Sequence, residues 1–299
     1  MEIAGRPARD DAARVGSFDY VTVGHVTVDV IAADSSRRPG GGAFYSALQA
    51  ARLGLRTLIV TRGSPPEIER LVEPYRDELE LRILPAPVTT ILETSWSGAE
   101  RTQRVLAWAG KIGETVTVDT SILHFAPVAR ETSSTWRGRA GFVGFTPQGL
   151  ARTWGEDGEI VPAPLPAGER TLAGLLPESC DAVVVSEQER AACAPLLAVA
   201  AAGGAVFAVT AGASATSVHL PDGGATRVPA PRVADPRDDL GAGDVFAAAF
   251  FVALREGQTP ARAAAYANAA AAIRIEGVGA NAIGDRDAIE ARLGSDSRA

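Results

Sequence analysis

Short apolar strands alternate with helical segments along most of this sequence, and this alternation restricts the possible fold more than any other feature. Apolar, β-branched runs occupy 18–24, 56–61 and 79–84, each separated from the next by a glycine, a proline or a helical pattern. Repeated strand and helix units form parallel sheets whose right-handed crossovers place helices against the sheet. The sequence therefore predicts an α/β fold with a doubly wound, mostly parallel sheet, and ligands at the carboxyl ends of the strands.

Glycine and proline mark the ends of many of these elements. Gly54 follows an Ala-rich helix, and Pro65 stands at the first turn of the next one. The sequence predicts helices over 43–53, 65–76, 133–139, 187–202, 241–256, 260–275 and 285–293. It predicts further strands over 26–31, 122–125, 141–146, 181–185 and 205–210, and a late hairpin over 214–220 and 225–228.

Between Val88 and Trp108 the pattern changes to alternating β-prone residues around the turn Ser97-Gly98-Ala99-Glu100. This predicts a β hairpin that projects from the α/β body as a lid over the substrate pocket. An exposed pair of strands is only marginally stable by itself. We therefore expect the lid to pair with its counterpart in a homodimer.

Composition favours a small-molecule partner. The 299 residues are 46% hydrophobic and 22% charged, as in soluble proteins with a sizeable core, and one domain is expected over 18–293 between tails at 1–17 and 294–299. The N-terminal tail has no apolar segment typical of a signal peptide. A net charge of −7 and a pI near 5.2 give no basic surface for nucleic acid or an anionic membrane.

The uncharged stretch from Ala191 to Leu220 is broken by Gly203-Gly204, and its second half is β-branched. This predicts a helix, a tight turn and a buried strand, and not a membrane span. Cys180 and Cys193 lack the spacing of a metal site, and the histidines are far apart in sequence. We expect buried thiols in a reducing cytoplasm and no zinc site.

A glycine-rich turn runs directly into an apolar helix at Leu240-Gly241-Ala242-Gly243-Asp244. The small residues let the backbone N–H groups of Gly241, Ala242 and Gly243 converge in front of a helix N-terminus, where the dipole favours negative charge. This pattern indicates an anion hole. Asp244, in the first helical turn, would be placed to take a proton beside a bound phosphate. The alternative is a simple turn in which Asp244 only stabilises the helix dipole.

Two segments resemble the signatures of the ribokinase-like carbohydrate kinases, the PfkB family. The first, 40–54, reads GGGAFYSALQAARLG and joins a glycine turn to a small-residue helix. The second, 240–246, reads LGAGDVF and is similar to the family's D-T-T-G-A-G-D. The two lie in the family's order, each at a predicted junction of turn and helix. The resemblance covers nearly the whole chain and implies the ribokinase-like fold with a small β lid.

The resemblance implies roles on the acceptor side of the site. Asp244 would be the general base for the acceptor hydroxyl, while the amides of Ala242, Gly243 and Asp244 stabilise the transferring phosphoryl group. Asp29 would accept hydrogen bonds from substrate hydroxyls; its alternative is a solvated carboxylate at a strand end. Gly40 and Gly41 would let the substrate lie against bare backbone.

The resemblance also implies binding of ATP and Mg²⁺. Glu189 would organise waters around Mg²⁺, although a carboxylate there can equally stabilise a first helical turn. Asn268 would lie near the adenine, although its side chain could instead bond the backbone of a neighbouring turn. The loop 277–281 would lie beside the adenine and a monovalent cation such as K⁺. The residues expected on the nucleotide side are Ser186, Glu189, Thr210, Gly212, Asn268 and Gly279.

Several residues depart from the family pattern. Tyr45 stands where many members have an Asn that contacts substrate, so we expect Tyr45 to line an altered acceptor pocket. Ser186 replaces another Asn, and Asp239-Leu240 replaces two threonines, which adds negative charge beside the phosphate site. Either Asp235 or Asp238 could match the aspartate that opens the second signature.

The sequence supports two hypotheses about function. The first is an ATP-dependent kinase that phosphorylates a hydroxyl of a sugar, a cyclitol or a nucleoside, with Asp244 as base. The second is a ligand-binding pseudokinase of the same fold with little or no turnover, suggested by Tyr45, Ser186 and Asp239. The intact Gly-Ala-Gly turn and Asp244 favour the kinase.

Overall fold

The structure is a computed structural model, and it describes residues 18–97, 100–113, 115–133, 135–165 and 174–296. The predicted N-terminal tail and the tip of the predicted hairpin at Gly98-Ala99 lie outside the described residues. The strands are β1 (Phe18–Val23), β2 (Thr27–Ile31), β3 (Ser36–Gly40), β4 (Thr57–Gly63), β5 (Leu79–Pro85), β6 (Ile91–Ser97), β7 (Glu100–Ala107), β8 (Val116–Phe125), β9 (Trp136–Ala140), β10 (Val143–Phe145), β11 (Arg152–Trp154), β12 (Ile160–Pro162), β13 (Ala182–Ser186), β14 (Val206–Thr210), β15 (Thr216–His219) and β16 (Ala225–Val228). The helices are α1 (Gly42–Arg52), α2 (Pro65–Val72), α3 (Glu187–Ala202), α4 (Ala242–Arg255), α5 (Pro260–Ile275) and α6 (Arg286–Asp296).

A central sheet of ten strands forms the body, in the order β16-β15-β14-β13-β10-β8-β1-β4-β5, with β9 paired to β8. All neighbours are parallel except at one edge, where β15 is antiparallel to both β14 and β16. This confirms the predicted doubly wound, mostly parallel sheet. The carboxyl ends of the parallel strands therefore share one edge of the sheet.

Helices pack on both faces of the sheet because the strand residues are apolar on both sides. In β13, Ala182 and Val184 join the core that contains α1, α4 and α5. Val183 and Val185 join the opposite core, against α3. Helix α4 is the centre of the first core, since every residue from Val245 to Ala253 is buried.

The lid is a separate sheet of four strands, in the order β3-β2-β6-β7. The antiparallel pair β6 and β7 is the predicted hairpin, but the lid is larger than expected. Strand β2 leaves the body and pairs with β6, and β3 forms the edge of the lid. Pro39 fits within β3 because an edge strand has one unpaired side and can spare an N–H donor. The proposed pairing of lids in a homodimer remains a prediction.

One predicted helix is wrong. The segment 133–139 was expected to be helical, but Trp136–Ala140 is strand β9, parallel to the first half of β8. Gly138 adopts a φ of +102°, and a side chain there would collide with the carbonyl oxygen of Val118. Both features are unfavourable in a helix interior and tolerable in a strand that approaches its neighbour closely.

The C-terminal half follows the prediction more closely. The uncharged stretch forms most of α3, a turn and β14, and no helix in the described residues is long and apolar enough to cross a membrane. Helix α6 extends to Asp296, three residues beyond the predicted end of the domain. The small hairpin of β11 and β12 was not predicted and pairs with the lid through β7.

Candidate active site

Two helix N-termini meet at the carboxyl edge of the sheet, beneath the lid. Helix α1 begins at Gly42 and α4 begins at Ala242, and the two helices pack against each other. A Cβ atom placed on Gly42 would lie 2.8 Å from Oδ1 of Asp244. The carboxylate of Asp244 therefore faces the bare backbone at the start of α1, and the two signature motifs form one site.

Each of the three consecutive glycines is required for a different reason. A Cβ on Gly40 would lie 2.1 Å from Oδ2 of Asp29, so this glycine makes room for that carboxylate. Gly41 has a φ of +90° and would meet the carbonyl oxygen of His25. Gly42 makes room for Asp244. The glycine turn therefore lies against two carboxylates, those of Asp29 and Asp244.

The turn before α4 is held in the shape expected of an anion hole. Gly241 has a φ of +77°, which favours glycine, and a Cβ there would collide with the ring of Tyr45. The N–H groups of Gly243 and Asp244 lie in the first turn of the helix, where no intrahelical carbonyl is available to them. The N–H of Ala242 donates to the carbonyl of Asp239 at 3.2 Å. Two of the predicted anion-hole amides thus stand at an open helix end.

Asp244 is partly buried, and its surroundings suit a base. The pKa of its carboxyl is raised to about 7, mainly by burial; the carboxylates of Glu189 and Asp29 contribute to this increase, while Arg152 and Arg101 oppose it. A carboxyl group with a pKa near neutrality can both take and release a proton at physiological pH. The hydroxyl of Ser46 donates to the backbone carbonyl of Asp244 at 3.2 Å and ties α1 to this turn.

Asp29 lies in the middle of lid strand β2 and is 5% exposed. Burial raises the pKa of its carboxyl to about 6, with a smaller opposing effect from the hydroxyl of Thr27, which donates to Oδ1 at 2.7 Å. Because Asp29 is buried, the alternative of a solvated carboxylate at a strand end is wrong. The lid therefore brings a second carboxylate with a raised pKa to the site.

On the expected nucleotide side, β13 and β14 end together. Ser186 and Thr210 are paired in register at the carboxyl ends of these strands. The backbone N–H of Ser186 donates to Glu189 Oε2 at 3.0 Å, which makes a capping box at the start of α3. The other oxygen of Glu189 lies 3.7 Å from Nη2 of Arg152. Glu189 therefore caps a helix and also faces the site.

The remaining residues expected on the nucleotide side are Asn268, Gly279 and Gly212. Asn268 is buried, accepts from the hydroxyl of Thr216 at 2.8 Å and donates to the carbonyls of Val228 and Pro229. This bonding matches the alternative stated for Asn268. The N–H of Gly279 donates to Asp238 Oδ2 at 2.9 Å, and Gly212 has a φ of +58° in the turn after β14. Contacts of these residues with a nucleotide remain predictions.

The described residues fit Mg²⁺ only as an ion that accompanies donor phosphates. No group of three or more His, Cys, Asp or Glu side chains within the described ranges could hold a metal ion. Glu189 supplies one carboxylate, and Mg²⁺ in phosphoryl-transfer sites commonly uses one or two carboxylates together with phosphate oxygens and water. Both cysteines are free thiols, and burial raises the pKa of each to about 12.

The comparisons with known proteins agree with this fold. The model of the pfkB family carbohydrate kinases matches residues 160–286, a segment that contains the anion-hole turn and Asp244. A pyrophosphate-dependent kinase in the ribokinase family, solved with a pyrophosphate analog and myo-inositol, is 20% identical, with a TM-score of 0.70 over 91% of this chain and 99% of its own. Arabidopsis thaliana ribokinase, solved with ribose and ATP, is 17% identical, with a TM-score of 0.69 over 93% and 99%. Methanocaldococcus jannaschii nucleoside kinase is 18% identical, with a TM-score of 0.68 over 93% and 98%.

The chain has the ribokinase-like fold. Its resemblance to the PfkB carbohydrate kinases is confirmed. No curated protein matches the sequence significantly.

Within this ribokinase-like fold, arginines pair with the aspartates of the turn before α4. One of these aspartates is Asp239, which stands where the family pattern has a threonine. Arg38 on β3 lies 3.3 Å from Asp238, and Arg101 on β7 lies 3.7 Å from Asp239. Both pairs join the lid to the turn before α4. Asp235 instead forms an exposed pair with Arg237. Of the two candidates for the aspartate that opens the second signature, only Asp238 therefore lies at the site.

Four site arginines were not predicted: Arg38, Arg101, Arg152 and Arg274. The first three reach the site from the lid or from β11, so only the tertiary fold brings them there. The sequence does distinguish Arg274, because it is the single charged residue between Ala263 and Ile275. Tyr45 is 3% exposed, with its ring against Gly241 and 5.6 Å from the guanidinium of Arg274. Its contact with an acceptor remains a prediction.

Proposed function

We propose that this chain is a kinase that transfers the terminal phosphoryl group of ATP to a hydroxyl of a small polyhydroxylated acceptor, such as a sugar, a cyclitol or a nucleoside. One observation carries the proposal. The carboxylates of Asp29 and Asp244, both with raised pKa, face the same glycine turn at an open helix N-terminus. One carboxylate can hold an acceptor hydroxyl while the other takes its proton, beside a site for the transferring phosphate.

In this proposal the acceptor binds between the lid and the glycine turn. Asp29 accepts hydrogen bonds from acceptor hydroxyls, because its carboxylate is ionised above a pH of about 6. Asp244 removes the proton of the hydroxyl that attacks. The raised pKa of Asp244 makes it a stronger base than an exposed aspartate, so proton removal is easier near neutral pH.

The transferring phosphoryl group occupies the anion hole. The N–H groups of Gly243 and Asp244 donate to its oxygens, and the dipole of α4 stabilises their negative charge. Arg152 and Arg101 add positive charge near Asp244. Mg²⁺ bound to the donor phosphates, with Glu189 holding a water of its shell, would neutralise phosphate charge. The lid, which two ion pairs join to the turn before α4, would exclude water when the acceptor is bound, and this would favour transfer to the acceptor over hydrolysis.

Pyrophosphate is a second candidate donor. The pyrophosphate-dependent neighbour shares this fold, and the side chain of Asn268 already makes three hydrogen bonds, to Thr216 and to two backbone carbonyls. An Asn in these bonds has little capacity left to recognise an adenine. A donor without a base would need only the anion hole and the nearby arginines.

A donor and acceptor screen tests the proposal. ATP and pyrophosphate are each incubated with Mg²⁺ and a panel of sugars, inositols and nucleosides, and donor consumption is measured with and without acceptor. We expect consumption that depends on one acceptor class. Donor binding without acceptor-dependent consumption across the panel would support the pseudokinase hypothesis.

The pH profile provides a separate prediction. Asp244 and Asp29 must both be ionised, so kcat/KM should fall about tenfold per pH unit below a pH of about 7, and more steeply below about 6. Above neutrality the profile should be level until another group titrates. A kcat/KM that stays constant down to a pH of about 5 would contradict the assignment of Asp244 as the base.

A further inference from the structure

A fully buried arginine stands behind the anion hole. Arg274 is the penultimate residue of α5, and none of its surface is exposed to solvent. A buried guanidinium is unfavourable unless its charge and its N–H groups are matched. The position at the C-terminal end of a helix favours a cation, because carbonyl dipoles point toward it.

Oxygen atoms from two loops surround this guanidinium. Its Nη1 donates to the carbonyls of Asp238 and Gly277 at 3.1 and 3.2 Å, and its Nη2 donates to the carbonyl of Leu240 at 2.7 Å. Nη2 also donates to Asp238 Oδ2 at 3.0 Å. The guanidinium therefore links the turn before α4 with the loop after α5.

The carboxylate of Asp238 completes this link. It accepts from the backbone N–H groups of Leu240 and Gly279, at 3.0 and 2.9 Å. Burial acts to raise the pKa of Asp238, but these bonds and Arg274 outweigh it and lower the pKa. An ionised Asp238 and Arg274 thus hold Leu240, the residue directly before the anion-hole turn, in one position.

The oxygen atoms around Arg274 are of the kind that a monovalent cation requires. Three are carbonyl oxygens and one is a carboxylate oxygen, and they come from the loop 277–281, where the resemblance led us to expect K⁺, and from the turn before α4. The guanidinium already donates to all four. A second positive charge among them would have to displace Arg274 or lie beside it, and like charges at that distance repel strongly. The residues therefore do not fit a monovalent cation.

We propose that the guanidinium of Arg274 acts as a built-in cation that positions the anion hole, so that this chain requires no monovalent cation. The effect on turnover rests on the kinase function proposed above. Arg274 is a positioning residue, because it contacts the loops and the Tyr45 ring and does not reach the reacting atoms. A fixed guanidinium keeps the site formed at any K⁺ concentration.

The wild-type protein gives the first test. Acceptor-dependent turnover and melting temperature are measured in tetramethylammonium chloride and in potassium chloride at equal ionic strength. We expect turnover to differ by less than about twofold between the salts and the melting temperature to be the same. A rise of about tenfold or more in turnover, or a higher melting temperature specific to K⁺, would overturn the proposal.

Replacing Arg274 by Ala gives the second test. It leaves the oxygen atoms in place and opens a space, so we expect turnover in tetramethylammonium to fall about a hundredfold. Added K⁺ or dilute guanidinium should increase the turnover of the variant by at least about tenfold and raise its melting temperature. Arg286→Ala, which removes an exposed ion pair with Glu256, is the control for a general loss of stability and should show no such recovery.

The melting temperatures test the built-in cation independently of the proposed kinase function. If no acceptor is found, K⁺-specific stabilisation of Arg274→Ala and its absence in the wild type still support the built-in cation. A variant that melts lower but responds to neither cation would show that Arg274 is only structural. If Arg274→Ala does not fold, Arg274→Lys retains the charge and should remain independent of K⁺; a dependence on K⁺ in the Lys variant would contradict the proposal.

Discussion

Replacing Asp244 by Asn is expected to lower acceptor-dependent turnover by about two to four orders of magnitude, the range for loss of one positioned general base. Asn has nearly the same size but cannot take a proton. Donor affinity should change little, because the Gly241–Gly243 backbone is untouched. Turnover is measured with saturating donor and acceptor, and donor affinity by calorimetry on the same preparation.

Melting temperature distinguishes a base from a simple helix-end carboxylate. In the folded protein the pKa of Asp244 is raised to about 7, from an ordinary value of 3.8, so the folded state binds more protons than the unfolded state between these values. Stability therefore decreases as pH rises through this window, and Asp244→Asn should melt a few degrees higher than the wild type at a pH of about 8.

A carboxylate that only favours the helix dipole would give the opposite result. Its loss would cost about 1 kcal/mol or less of stability and leave turnover nearly intact. Asp287, an exposed residue in the first turn of α6, provides the matched control, and Asp287→Asn should behave in this way. Near-normal turnover of Asp244→Asn with a slightly lower melting temperature would contradict the mechanism.

Replacing Gly42 by Ala should lower turnover by about a hundredfold, although it adds only a methyl group and changes no charge. The new Cβ would lie 2.8 Å from Asp244 Oδ1 and 3.3 Å from the carbonyl of Ala126, so the carboxylate must move. A displacement of about 1 Å in a catalytic group can cost this much in rate. The measurement compares kcat with donor affinity, and only kcat should fall.

Gly294→Ala is the control for this substitution. Gly294 lies in α6, and a Cβ there would meet no atom within 4 Å, so the variant should be as active as the wild type. If Gly42→Ala keeps full turnover, Asp244 does not need its present position and the role of the glycine turn is wrong.

Much of the fold could be predicted because local sequence patterns control it. The apolar runs of β1, β4 and β13 and the glycine and proline boundaries identify a parallel sheet without tertiary information. The errors occur where tertiary pairing decides the structure. Strand β9 depends on β8 for its partner, and β2, which carries β3 on its other side, joins the lid through its pairing with β6.

The site was predictable where backbone shape is encoded by residue type. Glycines at 40–42, 241 and 243 indicated close approach and an anion hole, and the structure brings Gly42 and Asp244 together. The arginines could not be predicted in the same way. Arg38 and Arg101 are ordinary surface residues in sequence, and their partners lie 200 and 138 positions away in the chain.

The fate of the phosphoryl group tests the kinase proposal most directly. A donor labelled in its terminal phosphoryl group is incubated with the wild-type protein and the acceptor found in the screen, and the labelled products are separated. We expect the label on the acceptor in a one-to-one ratio with donor consumed, and we expect Asp244→Asn to abolish most of this transfer. Label recovered only as inorganic phosphate, or remaining wholly in the donor despite binding, would contradict the proposed kinase.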